Sequence, residues 1–304
     1  MRIAVVGTGA MGSVYAGLLA VAGHDVAAVD VNADHVEAIR TRGLRVDGVS
    51  GDRVVRIAAA TDPAEVGPVE LVVIATKSMD ARAAAESAGP LIGPDTTVLT
   101  IQNGLGAADE VAEVVGDDRL MVGVAGGFGA SIVAPGHAHH HGMELVRLGE
   151  RAGPVTDRTE RVADAWRQAG FDVRTYDDVA RLQWEKLICN ACFAGIGGLL
   201  ELTIGDVVDN PHAWSVASRC AQEALDVGRA RGVALDIADC DTYVLDYARA
   251  IPDARPSLLL DLLAGRPTEV EWINGSVPRE GAKVGVPAPA NELVTQLVLA
   301  KQAR

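Results

Sequence analysis

At 304 residues the chain is long enough for one large domain or two ordinary ones, each with its own core. Hydrophobic residues at 49% and charged residues at 22% fit a water-soluble globular protein. The 27 Lys and Arg against 41 Asp and Glu leave a net charge of −14, which argues against nucleic acid or an acidic membrane surface as partner, since neither would be attracted.

Four cysteines are too few to staple a chain of this size. Cys189 and Cys192 have C-x-x-C spacing but sit in an apolar run with no second pair nearby, so buried thiols packing as small hydrophobes are the favoured reading. The chain opens on strand-like "MRIAVVGTG" with no signal-peptide pattern, and no uncharged apolar run approaches the ~18 residues that span a bilayer. A cytoplasmic, reducing setting is the expectation.

In chain order, "RIAVVG" reads as a short buried strand, and "TGAMGSVYAGLLAVAG" shows helical spacing through Met11, Tyr15, Leu18 and Leu19. Between them stands Gly7-x-Gly9-x-x-Gly12. The first glycine permits a tight strand-to-helix turn, the second lets the backbone approach a pyrophosphate, and the third lets the helix pack closely. The backbone of Gly7, Gly9, Ala10, Met11 and Gly12 then offers N–H groups and a helix-dipole end to phosphates. A second strand, "DVAAVDV", carries Asp30, 18 residues after Gly12. A carboxylate there accepts hydrogen bonds from the adenosine ribose and repels a 2′-phosphate. This favours NAD over NADP, with Arg40 and Arg42 keeping NADP open and a strand-end turn or helix cap as the structural alternative. SAM and FAD proteins share the glycine pattern.

"ELVVIAT" (70–76) and "TTVLTIQNG" (96–104) read as further buried parallel strands, separated by the helical "DARAAAESAGPLI". Ligands of an open α/β sheet gather at the carboxyl ends of its strands, so Lys77 and Asn103 are expected to face the nicotinamide. Asn103-Gly104 also reads as a plain turn dipeptide. Residues 119–150 suggest antiparallel strands joined at Pro135-Gly136. His139, His140 and His141 alternate in direction there, and no ligand cluster completes a metal site, so no metal is expected. A helix near 156–170 and the strand "FDVRTYDD" close a first domain over 1–177. The second, over 178–304, is helical, with segments at 179–200, 211–232, 236–251 and 284–302. The fold class is thus α/β: an N-terminal Rossmann-type dinucleotide-binding domain followed by a mostly α-helical domain. A homodimer is compatible with that helical half.

The chain has only four lysines against 23 arginines, yet one stands at the head of fourteen uncharged residues in "RLQWEKLICNACFAGIGGLL". On a helix starting near Val179, Lys186 and Asn190 share a face. Trp184, Leu187, Ile188 and Ala191 supply apolar surroundings, and desolvation lowers a lysine's pKa toward values useful for proton transfer. A lysine that snorkels to water is the bland alternative.

"GTGAMGSVYAGLL", "TKSMD", "IQNGLG", "WEKLICNA", "SLLLDLLAGRPTEVEWINGSV" and "GVPAPANELV" together resemble the ketopantoate reductases (2-dehydropantoate 2-reductases) from end to end. The resemblance implies hydride transfer from a reduced nicotinamide, usually NADP, to the C2 ketone of a small-molecule 2-oxo acid. It implies Lys186 as proton donor, Glu269 beside substrate and lysine, and Asn103, Asn190 and Ser257 as hydrogen-bond partners of the substrate. Asp30, Lys77, Asn103 and Glu269 would join the glycine loop around the dinucleotide, and Asp261 and Asn274 would support. Two positions depart from the pattern. Ala194 stands where many members carry a second asparagine, and Asp30-Val31-Asn32 replaces the arginine that NADPH-using members place after the second strand. These fit an NAD-dependent D-2-hydroxyacid dehydrogenase of the same superfamily, kept as the alternative. A catalytically silent nucleotide sensor, and a 3-hydroxyacid dehydrogenase of the 6-phosphogluconate type, stand further back.

Overall fold

The run RIAVV becomes β1 (Arg2–Val6), a strand of an eight-stranded sheet in which four successive residues are buried, so both of its faces are covered. A computed structural model of the chain describes residues 1–126, 129–142 and 145–303. It forms two compact units, Met1–Gln102 with Ala107–Val179, and Asn103–Gly106 with Ala180–Arg304.

In the first unit β2 (Asp25–Val29) and β5 (Ala58–Ala60) lie to one side of β1. To the other side lie β6 (Val69–Ile74), β7 (Ile92–Thr100), β8 (Leu120–Ala125), β11 (Leu145–Glu150) and β12 (Asp172–Thr175). The order is β12-β11-β8-β7-β6-β1-β2-β5, parallel throughout except where β11 meets β8. Ile3, Val5, Leu71, Val73 and Leu99 are fully buried at its centre. The helices of this unit are α1 (Ala10–Val21), α2 (Ala33–Arg42), α3 (Ala81–Ser87), α4 (Ala107–Val115) and α5 (Asp157–Gln168). Trp166 of α5 packs between Tyr15 and Phe171, with ring centroids 4.8 and 4.9 Å away.

A second sheet, of which the sequence reading gave only the hairpin at Pro135-Gly136, has the order β4-β3-β10-β9. It contains β3 (Leu44–Gly48), β4 (Arg53–Val55), β9 (Gly129–Ala134) and β10 (His137–Gly142). The β9–β10 hairpin turns at Pro135-Gly136, as expected, but β10 also pairs in parallel with β3, from far earlier in the chain. That pairing explains the histidines. His137 and His139 share a face and both hydrogen-bond Asp47, at 2.8 and 2.6 Å, while His140 points to the other face and meets Ser50 at 3.1 Å. Among the described residues no group of three His, Cys, Asp or Glu could hold a metal ion. Residues 127, 128, 143 and 144 of this glycine-rich stretch lie outside the described residues.

Glu150, at the end of β11, is a buried carboxylate. Burial alone would raise its pKa, but hydrogen bonds from Arg158, Thr156 and Thr159 outweigh burial and hold it below the usual carboxylate range. A depressed folded-state pKa contributes stability that is present above the unfolded value of ~4.3 and lost as pH falls through the folded one. Acid titration should therefore show the first unit loosening below about pH 4, and Glu150→Gln should flatten that part of the stability profile. Superimposable profiles for the two proteins would remove Glu150 from the account.

The second unit is built from α6 (Val179–Leu200), α7 (Ile204–Asp209), α8 (Pro211–Ala230), α9 (Cys240–Ala250), α10 (Ser257–Leu263), α11 (Ser276–Ala282) and α12 (Pro289–Gln302). The four longer helices match the predicted segments; the short α7, α10 and α11 were not foreseen. Ile188, Ala191 and Cys192 of α6 pack in one core with Ala221 and Ala224 of α8, Val244 of α9 and Val298 of α12. Glycines on α6 permit this closeness. A Cβ on Gly195 would stand 2.3 Å from Val294, and one on Gly198 2.3 Å from Leu258. All four cysteines are buried free thiols, and burial pushes Cys220 and Cys240 up to about 12, so they pack as small hydrophobes. Among the described residues no helix is long and apolar enough to cross a membrane.

Candidate active site

Two constellations emerge, one in each unit. In the first unit the chain leaves β1 at Gly7, which takes φ +86 and whose Cβ would lie 2.5 Å from Thr76 Cγ2. A Cβ on Gly12 would fall 2.1 Å from the Gly7 carbonyl oxygen, so the third glycine packs against the loop's own backbone. Gly9 is different, for a Cβ there meets nothing within 4 Å. Open space thus lies over the second glycine, at the start of α1, whose first turn receives no side-chain cap. The Thr76 hydroxyl beside this loop is buried and has no hydrogen-bond partner among the described residues. Open backbone, an uncapped helix start and an orphaned hydroxyl suit a dinucleotide pyrophosphate.

Asp30 follows β2 directly. Its Oδ1 accepts from the Asn32 N–H at 2.9 Å, and its Oδ2 has a long 3.5 Å contact from the Thr8 hydroxyl. The cap of α2 is Asn32, which accepts from the His35 N–H at 3.1 Å; Asp30 is the strand-end residue beside it. Arg40 and Arg42 are committed elsewhere. Arg40 donates to Ala59 O and to Glu65, both at 2.6 Å, and Arg42 donates to Pro135 O at 3.2 Å. Val31, between Asp30 and Asn32, is 96% exposed. Lys77 follows the carboxyl end of β6. Sequence reasoning missed Gln102. Its amide donates to Ile74 O at 2.7 Å and Thr76 O at 3.2 Å and accepts from Thr100, tying the ends of β6 and β7 together. Its only sequence signal was its place in "IQNG".

In the second unit three predicted residues meet. Lys186 Nζ donates to Asn103 Oδ1 at 2.8 Å, and Asn103 Nδ2 donates to Glu269 Oε2 at 3.0 Å. Asn103 therefore bridges the cation and the carboxylate, which is 8% exposed. The turn after it explains its placement. Gly104 takes φ +76 with its Cα against Trp272, where a Cβ would sit 2.0 Å from the carbonyl oxygen, and Leu105 N donates to that same oxygen at 2.9 Å. Asn103-Gly104 is both a turn and a site. Trp184, Leu187, Ile188 and Ala191 belong to the helical core, whereas Lys186 is only half-buried. The Asn103 amide oxygen accepts from that half-buried lysine.

Asn190 lies one turn beyond Lys186, half-buried, and Ser257 is exposed at the first residue of α10. Neither side chain has a hydrogen-bond partner among the described residues, and neither is joined to the Lys186–Asn103–Glu269 chain. Asp261 holds Arg266 at 3.0 Å, and Asn274 donates to Ala191 O and to Asn291, both at 2.9 Å. Ala194, a further turn along α6, is 5% exposed and offers no polar group.

Residues 3–153 match the model described as ketopantoate reductase PanE/ApbA, and residues 178–302 match its C-terminal counterpart. The chain belongs to the ketopantoate reductase family. It is an oxidoreductase of that family, and its relatives run its full length. The 2-dehydropantoate 2-reductase of Pyrococcus abyssi is 32% identical over 305 residues, covering all of this chain and 98% of the relative. The crystal structure of 2-dehydropantoate 2-reductase from Geobacter metallireducens superposes with a TM-score of 0.91 at 33% identity, covering 99% of both chains. A D-mandelate dehydrogenase in ternary complex with NADH and anilino(oxo)acetate superposes at 0.90 with 25% identity, covering all of this chain and 98% of that one. Both functional readings of the sequence thus have relatives of the same architecture.

Proposed function

We propose that this chain reduces the C2 ketone of a 2-oxo acid, with 2-dehydropantoate to (R)-pantoate, a step of pantothenate and coenzyme A biosynthesis, as the leading reaction. The observation that carries the reading is the Lys186–Asn103–Glu269 hydrogen-bonded chain. A bound reduced nicotinamide supplies the hydride. The chain's own residues do the rest. Reduction of a ketone puts negative charge on its oxygen, and the Lys186 ammonium stabilises that charge and delivers the proton. Asn103 orients the ammonium through its carbonyl and links it to Glu269, which balances its charge. The unpartnered Asn190 amide and Ser257 hydroxyl are suited to the substrate's carboxylate and hydroxyl groups. Gly7, Gly9, Ala10, Met11 and Gly12 would hold the pyrophosphate, Asp30 the ribose hydroxyls, and Lys77, Asn103 and Glu269 the nicotinamide end.

NADH is the coenzyme this geometry favours. Asp30 would repel a 2′-phosphate, and Arg40 and Arg42 are engaged with Glu65, Ala59 and Pro135. That feature, with the apolar Ala194, also supports the second reading, an NAD-dependent D-2-hydroxyacid dehydrogenase acting on a bulkier 2-oxo acid. Initial rates with 2-dehydropantoate and with a branched or aromatic 2-oxo acid, each with NADH and NADPH, separate the two. NADH should be preferred by at least about tenfold in kcat/KM, equivalent to ~1.4 kcal/mol. An NADPH preference would overturn the role given to Asp30. Faster turnover of the bulky acid would move the chain to the dehydrogenase branch, and no turnover of any 2-oxo acid would favour a sensor.

A further inference from the structure

The buried His35 has no place in the reaction just described, yet it closes a polar circuit behind the glycine loop. It stands in the first turn of α2 and is 4% exposed. The Gly136 N–H, in the turn of the β9–β10 hairpin, donates to His35 Nδ1 at 3.1 Å, so that nitrogen carries no proton. The proton is then on Nε2, which donates to Ser13 Oγ at 3.2 Å. Ser13 in turn donates to Thr8 O at 2.7 Å. Ser13 and Thr8 are both fully buried. Burial lowers the His35 pKa, against the opposing influence of Asp30, which agrees with the neutral tautomer that the three bonds require.

The end of this chain is the peptide between Thr8 and Gly9. In a trans peptide C=O and N–H point in opposite directions. Anchoring Thr8 O to Ser13 therefore aims the Gly9 N–H the other way, and that N–H has no partner among the described residues, on a glycine whose added Cβ would meet nothing within 4 Å. Without Ser13 the peptide is free to rotate, and the donor is no longer held in place before a ligand arrives. Ser13 alone could supply this anchor, but its hydroxyl has other rotamers. The N–H of His35 fills its acceptor side and leaves its proton for Thr8 O.

We propose that His35 and Ser13 are positioning residues for the dinucleotide. They act as one relay that runs from the Gly136 N–H to the Thr8–Gly9 peptide and presets the Gly9 N–H for the pyrophosphate. The proposal rests on the glycine loop being the dinucleotide site. Neither residue touches the reacting atoms, so the effect belongs in coenzyme affinity and not in the chemical step.

The test uses the full-length protein and NADH as the probe, with the dissociation constant from fluorescence titration and kcat at saturating NADH. Ser13→Ala removes one oxygen atom and should weaken NADH binding about five- to tenfold, with kcat within about twofold of wild type. His35→Asn keeps an acceptor near Gly136 but does not reach Ser13, and should weaken binding similarly. The double variant should be no weaker than the weaker single, because both break one relay. Multiplying losses in the double variant, or unchanged affinity in folded Ser13→Ala, would overturn the relay. A fall in kcat with unchanged affinity would overturn it as well. If wild type itself binds no NADH or NADPH, the dinucleotide reading fails, and the relay with it. If wild type binds and the variants match it, only the relay fails.

Discussion

Lys186→Ala should lower kcat by ~10²–10⁴ while the NADH dissociation constant stays within a few-fold of wild type. The size follows from what the ammonium does. Hydride addition turns a neutral carbonyl oxygen into an alkoxide, and a cation placed there in advance acts on the transition state more than on the ground state. It then neutralises the alkoxide by giving up a proton. Lys186→Arg separates these contributions. Arginine keeps the positive charge but does not release a proton at neutral pH, and its planar fork cannot reproduce the point contact of Nζ with Asn103. The arginine variant should therefore lie much closer to alanine than to wild type. Asn103→Ala removes the bridge between Lys186 and Glu269 and should cost less, because the ammonium stays while its orientation is lost. A folded Lys186→Ala protein with near-normal kcat would end the assignment of this lysine as the acid. Rates close to wild type for the arginine variant would keep the charge and discard the proton transfer.

The parts of the molecule that were legible in the sequence are those whose physics is local. A β-branched strand, a glycine turn and a helical apolar period stand next to one another at residues 2–21, so the first βα unit can be read from one short window. The same holds for Lys186 and Asn190, whose spacing already puts them on one helix face. What escaped depends on partners far away in the chain. β3 and β4 are short, and β3 is held by β10, which lies some ninety positions later, so no local pattern marks that half of the second sheet. The Asn103–Gly106 segment follows a Rossmann strand, yet it belongs to the helical unit because Trp272, Arg279 and Glu269 hold it there. A turn dipeptide does not announce which neighbour will take it. Arg40 and Arg42 were plausible phosphate ligands by position alone, and their true partners are visible only in three dimensions. His35 and Glu223 look like ordinary surface residues in the sequence. Both are buried, and both earn their positions through backbone N–H groups that no motif describes.

Glu223→Ala should destabilise the helical unit by about 3 kcal/mol, an effect of cap loss and not of catalysis. Helix α12 starts at Pro289, and its own N-cap residue, Ala288, has no side chain able to accept from the first turn. Glu223, on α8 and only 9% exposed, supplies the missing acceptor from another helix. It receives the N–H of Ala290 and of Asn291, both at 3.0 Å, and the Asn291 side-chain amide at 2.9 Å. A carboxylate at a helix N-terminus is favoured by the macrodipole, which is why a buried anion is tolerable here. Asn291 carries the network onward. It donates to Cys220 O and accepts from Asn274, which donates to Ala191 O on α6, the residue after Asn190. The capped end of α12 is thus wired to the helix that bears Lys186. Removing Glu223 leaves the half-buried Ala290 N–H, the buried Asn291 N–H and one Asn291 amide proton unsatisfied at once, where water does not replace them cheaply. Glu223→Gln keeps the shape but loses the charge and turns one acceptor into a donor facing other donors, so it should lie between alanine and wild type. The control is Glu292→Ala, the neighbouring exposed carboxylate on α12, expected within ~0.5 kcal/mol of wild type. Denaturant unfolding followed by helix ellipticity reads all three. A loss below about 1 kcal/mol for Glu223→Ala would show that solvent reaches the start of α12 and replaces the carboxylate. Equal losses for Glu223 and Glu292 would show that general charge, and not this cap, sets the stability of the helix.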